Sequence, residues 1–116
     1  MVWPVVMANA ADLSVRQLQY VVAVADTLGF HRAAAKCHVS QPALSAQIQQ
    51  VESVLGVALF ERGSRRVLVT AAGRDVVARA RRILLELREE IQSFYRGCRL
   101  SPSRPIRVCA QGFGRA

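Results

Sequence analysis

Residues 29–45 read GFHRAAAKCHVSQPALS and carry the strongest structural signal in the chain. The pattern predicts a short helix from about Phe30 to Cys37, in which three consecutive alanines allow a neighbouring helix to cross closely. Ser40 is a candidate N-cap for a second helix, and Pro42 suits its first turn, where no backbone N–H is needed. A short helix, a tight turn and a capped helix form a helix-turn-helix, which typically inserts side chains into the major groove of DNA.

The helix that begins after Ser40 is predicted to bury one face and to expose a polar one. Its apolar residues recur at helical spacing and end at Gly56, which suits the left-handed closing residue; they are Leu44, Ile48, Val51 and Leu55. This phase leaves Gln41, Ser45 and Gln49 on the outer face. Glutamine can form two hydrogen bonds to adenine and serine can contact several bases, so these are candidate base-reading residues. The alternative is that they are ordinary solvent-facing side chains.

A preceding helix is predicted to begin after Ser14. Ser14 and Gln17 have the spacing of a capping box, in which each side chain bonds the other's backbone N–H. Leu13 can pack against Leu18 across the first turn. Gly29 is expected to end this helix, whose predicted buried stripe comprises Leu18, Val21, Val22, Ala25 and Leu28.

After the helix-turn-helix, two short stretches flank a basic tip. Phe60–Arg62 and Val67–Val69 are predicted strands of a hairpin whose tip runs from Gly63 to Arg66. A wing of this kind usually lies along the DNA phosphates or reaches the minor groove. The predicted fold class is therefore mainly α: a winged helix-turn-helix of three helices and a two-stranded wing, followed by a long helix.

The long fourth helix is predicted to begin after its cap, Thr70, and to run to about Gly97. Apolar residues alternate along it in steps of three and four, which makes a seam for a partner helix: Val77, Ala80, Leu84, Leu87, Ile91 and Phe94. The alternative is that they pack on the chain's own core. Because the helix is too long for three short helices to cover, we expect a homodimer joined through it.

Charge and composition agree with a nucleic-acid binder. The 116 residues carry 16 lysines and arginines against 8 acidic residues, a net charge of +8, and such a surplus is typical of proteins that contact nucleic acid. The alternative is a solvated basic face. Three cysteines and no secretory or membrane-spanning segment favour free thiols and a cytoplasmic, nucleoid-associated protein.

Enzymatic and metal-binding functions find little support. Two histidines, three cysteines and no clustered carboxylates provide neither a catalytic triad nor a complete metal set. Cys37 with His38 and His31 is the nearest approach to a metal site, and the favoured alternative is a buried thiol beside surface imidazoles. We predict no catalytic residues, no metal and no cofactor.

These motifs resemble the DNA-binding domain and linker helix of LysR-type transcriptional regulators from about Leu13 to Gly97. The stretches that carry the resemblance are RAA at 32–34, VSQPALS at 39–45, QI at 47–48, Glu52, LGV at 55–57, LFER at 59–62 and LVTAAG at 68–73. The molybdate-regulator type of winged domain is the nearest rival, but it does not account for Ser40-Gln41-Pro42.

The resemblance implies partners and site residues. Members of the family dimerise through the linker helix and bind imperfect palindromes in double-stranded DNA. The residues then expected at base edges are Gln41, Pro42, Ser45 and Gln49. Those expected at the DNA backbone or in the minor groove are Arg32, Ser40, Arg62, Arg65 and Arg66.

Two departures from the family pattern affect this expectation. Ala46 stands where many members carry arginine, and Gln50 stands where a basic residue is common, so base reading by this helix is expected to be weaker or different. His31 replaces a common serine or threonine, and together with Cys37-His38 it resembles the peroxide-sensing OxyR branch.

The predicted organisation is a flexible tail at 1–12, the DNA-binding domain at 13–70, the linker helix at 71–97, and a linker plus strand at 98–116. The strand, Ile106–Ala110, resembles the first strand of the family's effector domain. The chain stops soon afterwards, which leaves open a fragment, a truncated reading frame or a stand-alone DNA-binding domain, none expected to bind an effector. The predicted function is sequence-specific DNA binding; the alternative is an interaction module that forms mixed dimers with full-length regulators.

Overall fold

The computed structural model describes residues 12–63 and 65–100. In chain order the elements are α1 (Val15–Thr27), α2 (Phe30–Cys37), α3 (Gln41–Leu55), β1 (Phe60–Arg62), β2 (Val67–Val69) and α4 (Ala71–Leu100). This order confirms the predicted helices and two-stranded wing, with α4 ending three residues beyond Gly97. The predicted tail up to residue 11 and the predicted strand near the C-terminus lie outside the described residues.

The described residues divide into two compact units at Leu84. We call residues 12–84 the head and residues 85–100 the distal segment. The most deeply buried large side chains all belong to the head and come from α1, α3 and the residue that precedes β1: Val21, Val24, Leu44, Ile48, Val51 and Leu59. One apolar core therefore holds the helices and the wing of the head together.

The start of α1 has the predicted capping box. The Ser14 hydroxyl accepts from the Gln17 backbone N–H at 3.1 Å, and the Gln17 side-chain oxygen accepts from the Ser14 N–H at 2.9 Å. The Gln17 amide Nε2 then donates to Gln47 Oε1 of α3 at 2.9 Å. These bonds let a polar side chain sit in the core, where Gln17 is only 6% exposed.

The burial of Gln17 corrects the predicted phase of α1. The face that packs inward carries Gln17, Tyr20, Val21 and Val24, whereas the predicted stripe has only Val21 fully buried. Leu18, Val22 and Ala25 are half-buried, and Leu28 is 40% exposed. The predicted buried face of α1 was wrong in its phase, because only apolar residues were assigned to the core.

The turn between α1 and α2 also differs from the prediction. Leu28, not Gly29, adopts the left-handed conformation that closes α1, with a φ of 54°. Gly29 has an extended backbone and is the N-cap residue of α2. The Leu28 carbonyl accepts from Val67 N–H of the wing at 3.3 Å, and this contact helps to hold leucine in a conformation that costs about 1–2 kcal/mol.

Helix α3 has the predicted ends and buried face. The Ser40 hydroxyl accepts from Ala43 N–H at 3.3 Å, Pro42 lies in the first turn, and Gly56 closes the helix with a φ of 72°. The predicted stripe packs into the core, with Leu55 partly buried at its end. The opposite face of α3 is therefore directed away from the core.

The wing is fixed to the helices on both sides. Phe60 pairs with Val69 and Arg62 pairs with Val67 in an antiparallel register. Glu52 of α3 accepts through Oε2 from the backbone N–H groups of Leu59 and Phe60, at 2.8 and 3.2 Å. The wing thus keeps a defined position beside α3.

The start of α4 belongs to the head. The Thr70 hydroxyl accepts from Gly73 N–H at 2.9 Å, which confirms Thr70 as the cap. Val77 and Ala80 are 7% and 1% exposed, so these first two residues of the predicted dimer seam are already covered within the chain. Asp26 of α1 forms ion pairs with Arg81 of α4 and Lys36 of α2.

Candidate nucleic-acid interface

The outer face of α3 presents the residues that the sequence predicted for base reading. Gln41, Pro42 and Gln49 are exposed, and Ser45 is half-exposed. Leu44 and Ile48, on the opposite side, are buried in the core. Since the backbone of a helix is internally bonded, the exposed amides and the hydroxyl are the groups that α3 offers to a partner.

A cleft of about 570 Å³ lies beside the first turn of α3. It is bounded by the start of α2, the end of the wing strands and Gln41, and it is open to solvent. Its charged lining, as far as the structure describes it, consists of arginines without any carboxylate: Arg32, Arg62, Arg65 and Arg66. Four cations around one concavity create a positive potential that attracts an anionic backbone.

The residues predicted to contact the DNA backbone therefore lie near one another, and they differ in the contacts that their side chains already make within the protein. Arg32, Arg62, Arg65 and Arg66 are all exposed around the cleft. The Ser40 hydroxyl is exposed but engaged as the helix cap. Arg62 is held by the protein itself: its guanidinium carbon lies 4.0 Å from the centroid of the Phe30 ring, and its Nη2 donates to the Ser45 hydroxyl.

Sequence reasoning missed the contact of Arg62 with Phe30 and Ser45. The three residues come from β1, α2 and α3, and Ser45 is 17 positions from Arg62. Both ends of the hydrogen bond were assigned separately to DNA. A local spacing rule contains no signal for a contact that depends on how the wing docks on the helices.

The two departures in α3 occupy different surroundings. Ala46 is exposed and offers only a methyl group. Gln50 lies near α1, where its Oε1 is 3.4 Å from Gln17 Nε2. The side chains at these positions therefore carry no positive charge toward a partner, and the cations come from α2 and the wing.

Cys37 is half-buried and packs against the core, as predicted for a small apolar side chain. It also borders a second, smaller groove of about 310 Å³ between α1, α2 and Leu84. Among the residues that the structure describes, no three histidine, cysteine or acidic side chains are grouped as metal ligands. No helix in the same residues is long and apolar enough to cross a membrane.

The family of bacterial regulatory helix-turn-helix proteins of the lysR type matches residues 15–74. This match covers α1, α2, α3, the wing and the first turn of α4, which is more than half of the chain. The chain belongs to the LysR family. Its winged helix-turn-helix is therefore the family's DNA-binding architecture, and the resemblance found in the sequence is confirmed.

Curated relatives in the LysR family include a hydrogen peroxide-inducible genes activator of Pectobacterium carotovorum subsp. carotovorum. The DNA-binding transcriptional dual regulator OxyR of Escherichia coli K12 is 51% identical over 76 residues, which are 66% of this chain and 25% of OxyR. The chain thus matches about a quarter of the length of such relatives. The uncharacterised regulator YnfL of the same organism is 49% identical over 73 residues, again covering 25% of its length.

Solved LysR-family structures have the same architecture. The CbnR DBD in complex with DNA is 44% identical, with a TM-score of 0.65 over 70% of this chain and 94% of that chain. The BenM DBD in complex with catB site 1 DNA is 38% identical, with a TM-score of 0.71 over 72% of this chain and 93% of that one. Both were crystallised with DNA.

Proposed function

We propose that this LysR-family chain binds double-stranded DNA in a sequence-specific manner and regulates transcription. One observation carries the proposal: the polar outer face of α3 stands directly beside a cleft at which the side chains of Arg32, Arg65 and Arg66 are exposed. The DNA complexes of the CbnR and BenM domains, which share this fold, support it. The regulatory role is inferred from relatives such as OxyR.

In the proposed complex, α3 enters the major groove. Gln41 and Gln49 can each pair an amide with the N6 and N7 edge of adenine, and Ser45 can contact several bases. Arg32, Arg65 and Arg66 neutralise phosphates or enter the minor groove beside the wing, which adds affinity without sequence information. Two surfaces of the head therefore supply specificity and attraction separately.

We further propose that the protein is a homodimer on an imperfect palindrome and acts in the cytoplasm. In the distal segment, apolar Leu87, Ile91 and Phe94 recur at helical spacing and are 37%, 43% and 59% exposed. A partner helix that covered them would bring two heads to two half-sites, and dimeric helix-turn-helix proteins read palindromes in this way. The same face would allow mixed dimers with full-length regulators, which is the second candidate function.

The first test of DNA reading is Gln41→Ala. The chain should keep its affinity for non-specific duplexes and lose roughly 1–3 kcal/mol of preference for its selected site, because the amide contact to a base disappears. Competition titrations against duplexes selected from a randomised library measure this preference. The matched control is Gln19→Ala, which removes an exposed amide from α1 and should leave the preference intact. Full discrimination by Gln41→Ala would show that the first turn of α3 does not read bases.

Arg65→Ala should lower the affinity for every duplex and keep the preference for the selected site. Binding should weaken alike for all sequences, and the slope of log affinity against log salt should flatten by about one unit, because one phosphate contact is lost. Titrations of selected and non-specific duplexes at several salt concentrations provide both values. Arg79→Ala is the control, since the Arg79 side chain is exposed on α4 and pairs with Asp75. An unchanged slope for Arg65→Ala would remove Arg65 from the phosphate contacts.

A further inference from the structure

Arg62 joins three elements of the head through a single side chain. Its backbone ends β1, its guanidinium lies over the ring of Phe30 at the start of α2, and it donates to the hydroxyl of Ser45 on α3. We propose that Arg62 is a positioning residue, a strut on the surface of the head that makes Ser45 a hydrogen-bond donor toward the base it reads. The proposal rests on the DNA-binding function proposed above and assigns Arg62 a role other than phosphate binding.

The surroundings of Arg62 suit guanidinium chemistry. The planar cation can stack on an aromatic face while its N–H groups bond in the same plane, which an ammonium group does not reproduce. A distance of 4.0 Å to the ring centroid is well within the range of a cation–π contact. The bond to Ser45 is charge-assisted and so stronger than one between neutral groups. The two contacts hold the guanidinium by one face and by one N–H group.

The other wing arginines differ from Arg62. Within residues 12–63 and 65–100, the Arg65 and Arg66 side chains have no hydrogen bond, ion pair or ring stack to another described residue. They can turn to a phosphate without breaking an internal contact. The Arg62 guanidinium is already held by Phe30 and Ser45, and turning away to follow a phosphate would break these contacts, which favours a positioning role.

The bond constrains what Ser45 can offer to DNA. A hydroxyl has one donor hydrogen and two acceptor lone pairs. When a cation donates to the oxygen, the hydroxyl hydrogen points elsewhere and becomes a better donor, because linked hydrogen bonds polarise one another. Arg62 occupies one of the two acceptor lone pairs, so a donor group on a base, such as the amino group of cytosine, has only one acceptor position left. Acceptors such as guanine O6 and N7 or thymine O4 are favoured.

The decisive experiment compares Arg62→Met with Arg65→Met on duplexes selected from a randomised library. Arg62→Met should reduce the preference for a base acceptor at one position by about 2- to 10-fold and leave the salt slope near that of the parent chain. In a Ser45→Ala background, Arg62→Met should cause no further change at that position. Arg65→Met should instead flatten the salt slope by about one unit and keep the preference.

The strut is also measurable without DNA. In the free chain, the side-chain NMR signals of Arg62 should be shifted upfield by the Phe30 ring, and Phe30→Leu should abolish the shift. Unshifted Arg62 signals would overturn the strut, as would an Arg62→Met chain that loses salt slope and keeps every base preference. A parent chain without any base preference would instead contradict the proposed function, so the two failures are distinguishable.

Discussion

The Gly73→Ala substitution is expected to lower the free energy of unfolding by about 3 kcal/mol or more. This is a large part of the roughly 5–15 kcal/mol typical of domains. A Cβ at residue 73 would lie 2.1 Å from the Leu59 carbonyl oxygen and 2.9 Å from Val69 Cγ1. The Leu59 oxygen cannot retreat freely, because it accepts from Thr70 N–H at 3.0 Å. The wing and α4 would have to separate. Urea and thermal unfolding followed by circular dichroism measure the loss.

Gly97→Ala is the matched control for Gly73→Ala. Within residues 12–63 and 65–100, no heavy atom outside the local helix backbone lies within 4 Å of a Cβ built at residue 97, and alanine favours a helix over glycine by about 0.5–1 kcal/mol. This variant should keep or raise the helical signal. Equal stability of the two variants would show that α4 does not approach the loop before β1 as closely as described.

Ile91→Asp is expected to convert the proposed dimer into monomers. A carboxylate in an apolar helix seam is either buried without a partner or forces the helices apart. Loss of the second head should weaken binding to a two-half-site duplex by about 100-fold or more, because the contribution of linked sites disappears. Sedimentation equilibrium and titration of one- and two-half-site duplexes measure both effects.

The control for Ile91→Asp is Gln92→Asp, which adds the same charge at an exposed polar position of the distal segment and should remain dimeric. Residue 91 is a better site for this test than Leu84. Leu84 is half-buried against the rest of the head, so a charge there would also disturb folding. A dimeric Ile91→Asp chain would show that the partner helix does not cover this face.

The features that the sequence predicted correctly depend on neighbouring residues. Ser14, Ser40 and Thr70 each accept from a backbone N–H three positions on, and the left-handed Gly56 closes α3. Such signals lie within one helical turn, so a single sequence contains them in full. The position of the base-reading candidates on the outer face followed as well, because the phase of the apolar residues in α3 fixes that face; their contact with bases stays a prediction.

The features that the sequence did not predict depend on packing between elements. The phase of α1 was displaced because Gln17 finds its partner on α3, 30 positions away. Val77 and Ala80 have the spacing of a seam, but the core of the head buries them. Periodicity shows that a helix face is apolar and does not show which surface covers it.

The buried amide of Gln17 has a consequence for the angle at which the head presents its base-reading face. Apolar packing is non-directional, so it permits small rotations of α3 about its own axis. The hydrogen bond from Gln17 to Gln47 is directional, so it favours the rotational settings of α3 in which the two amides stay aligned. A chain with leucine at residue 17 would lose this alignment and also the bond that the Gln17 side chain accepts from the Ser14 N–H, so residue 17 links the cap of α1 to the orientation of α3.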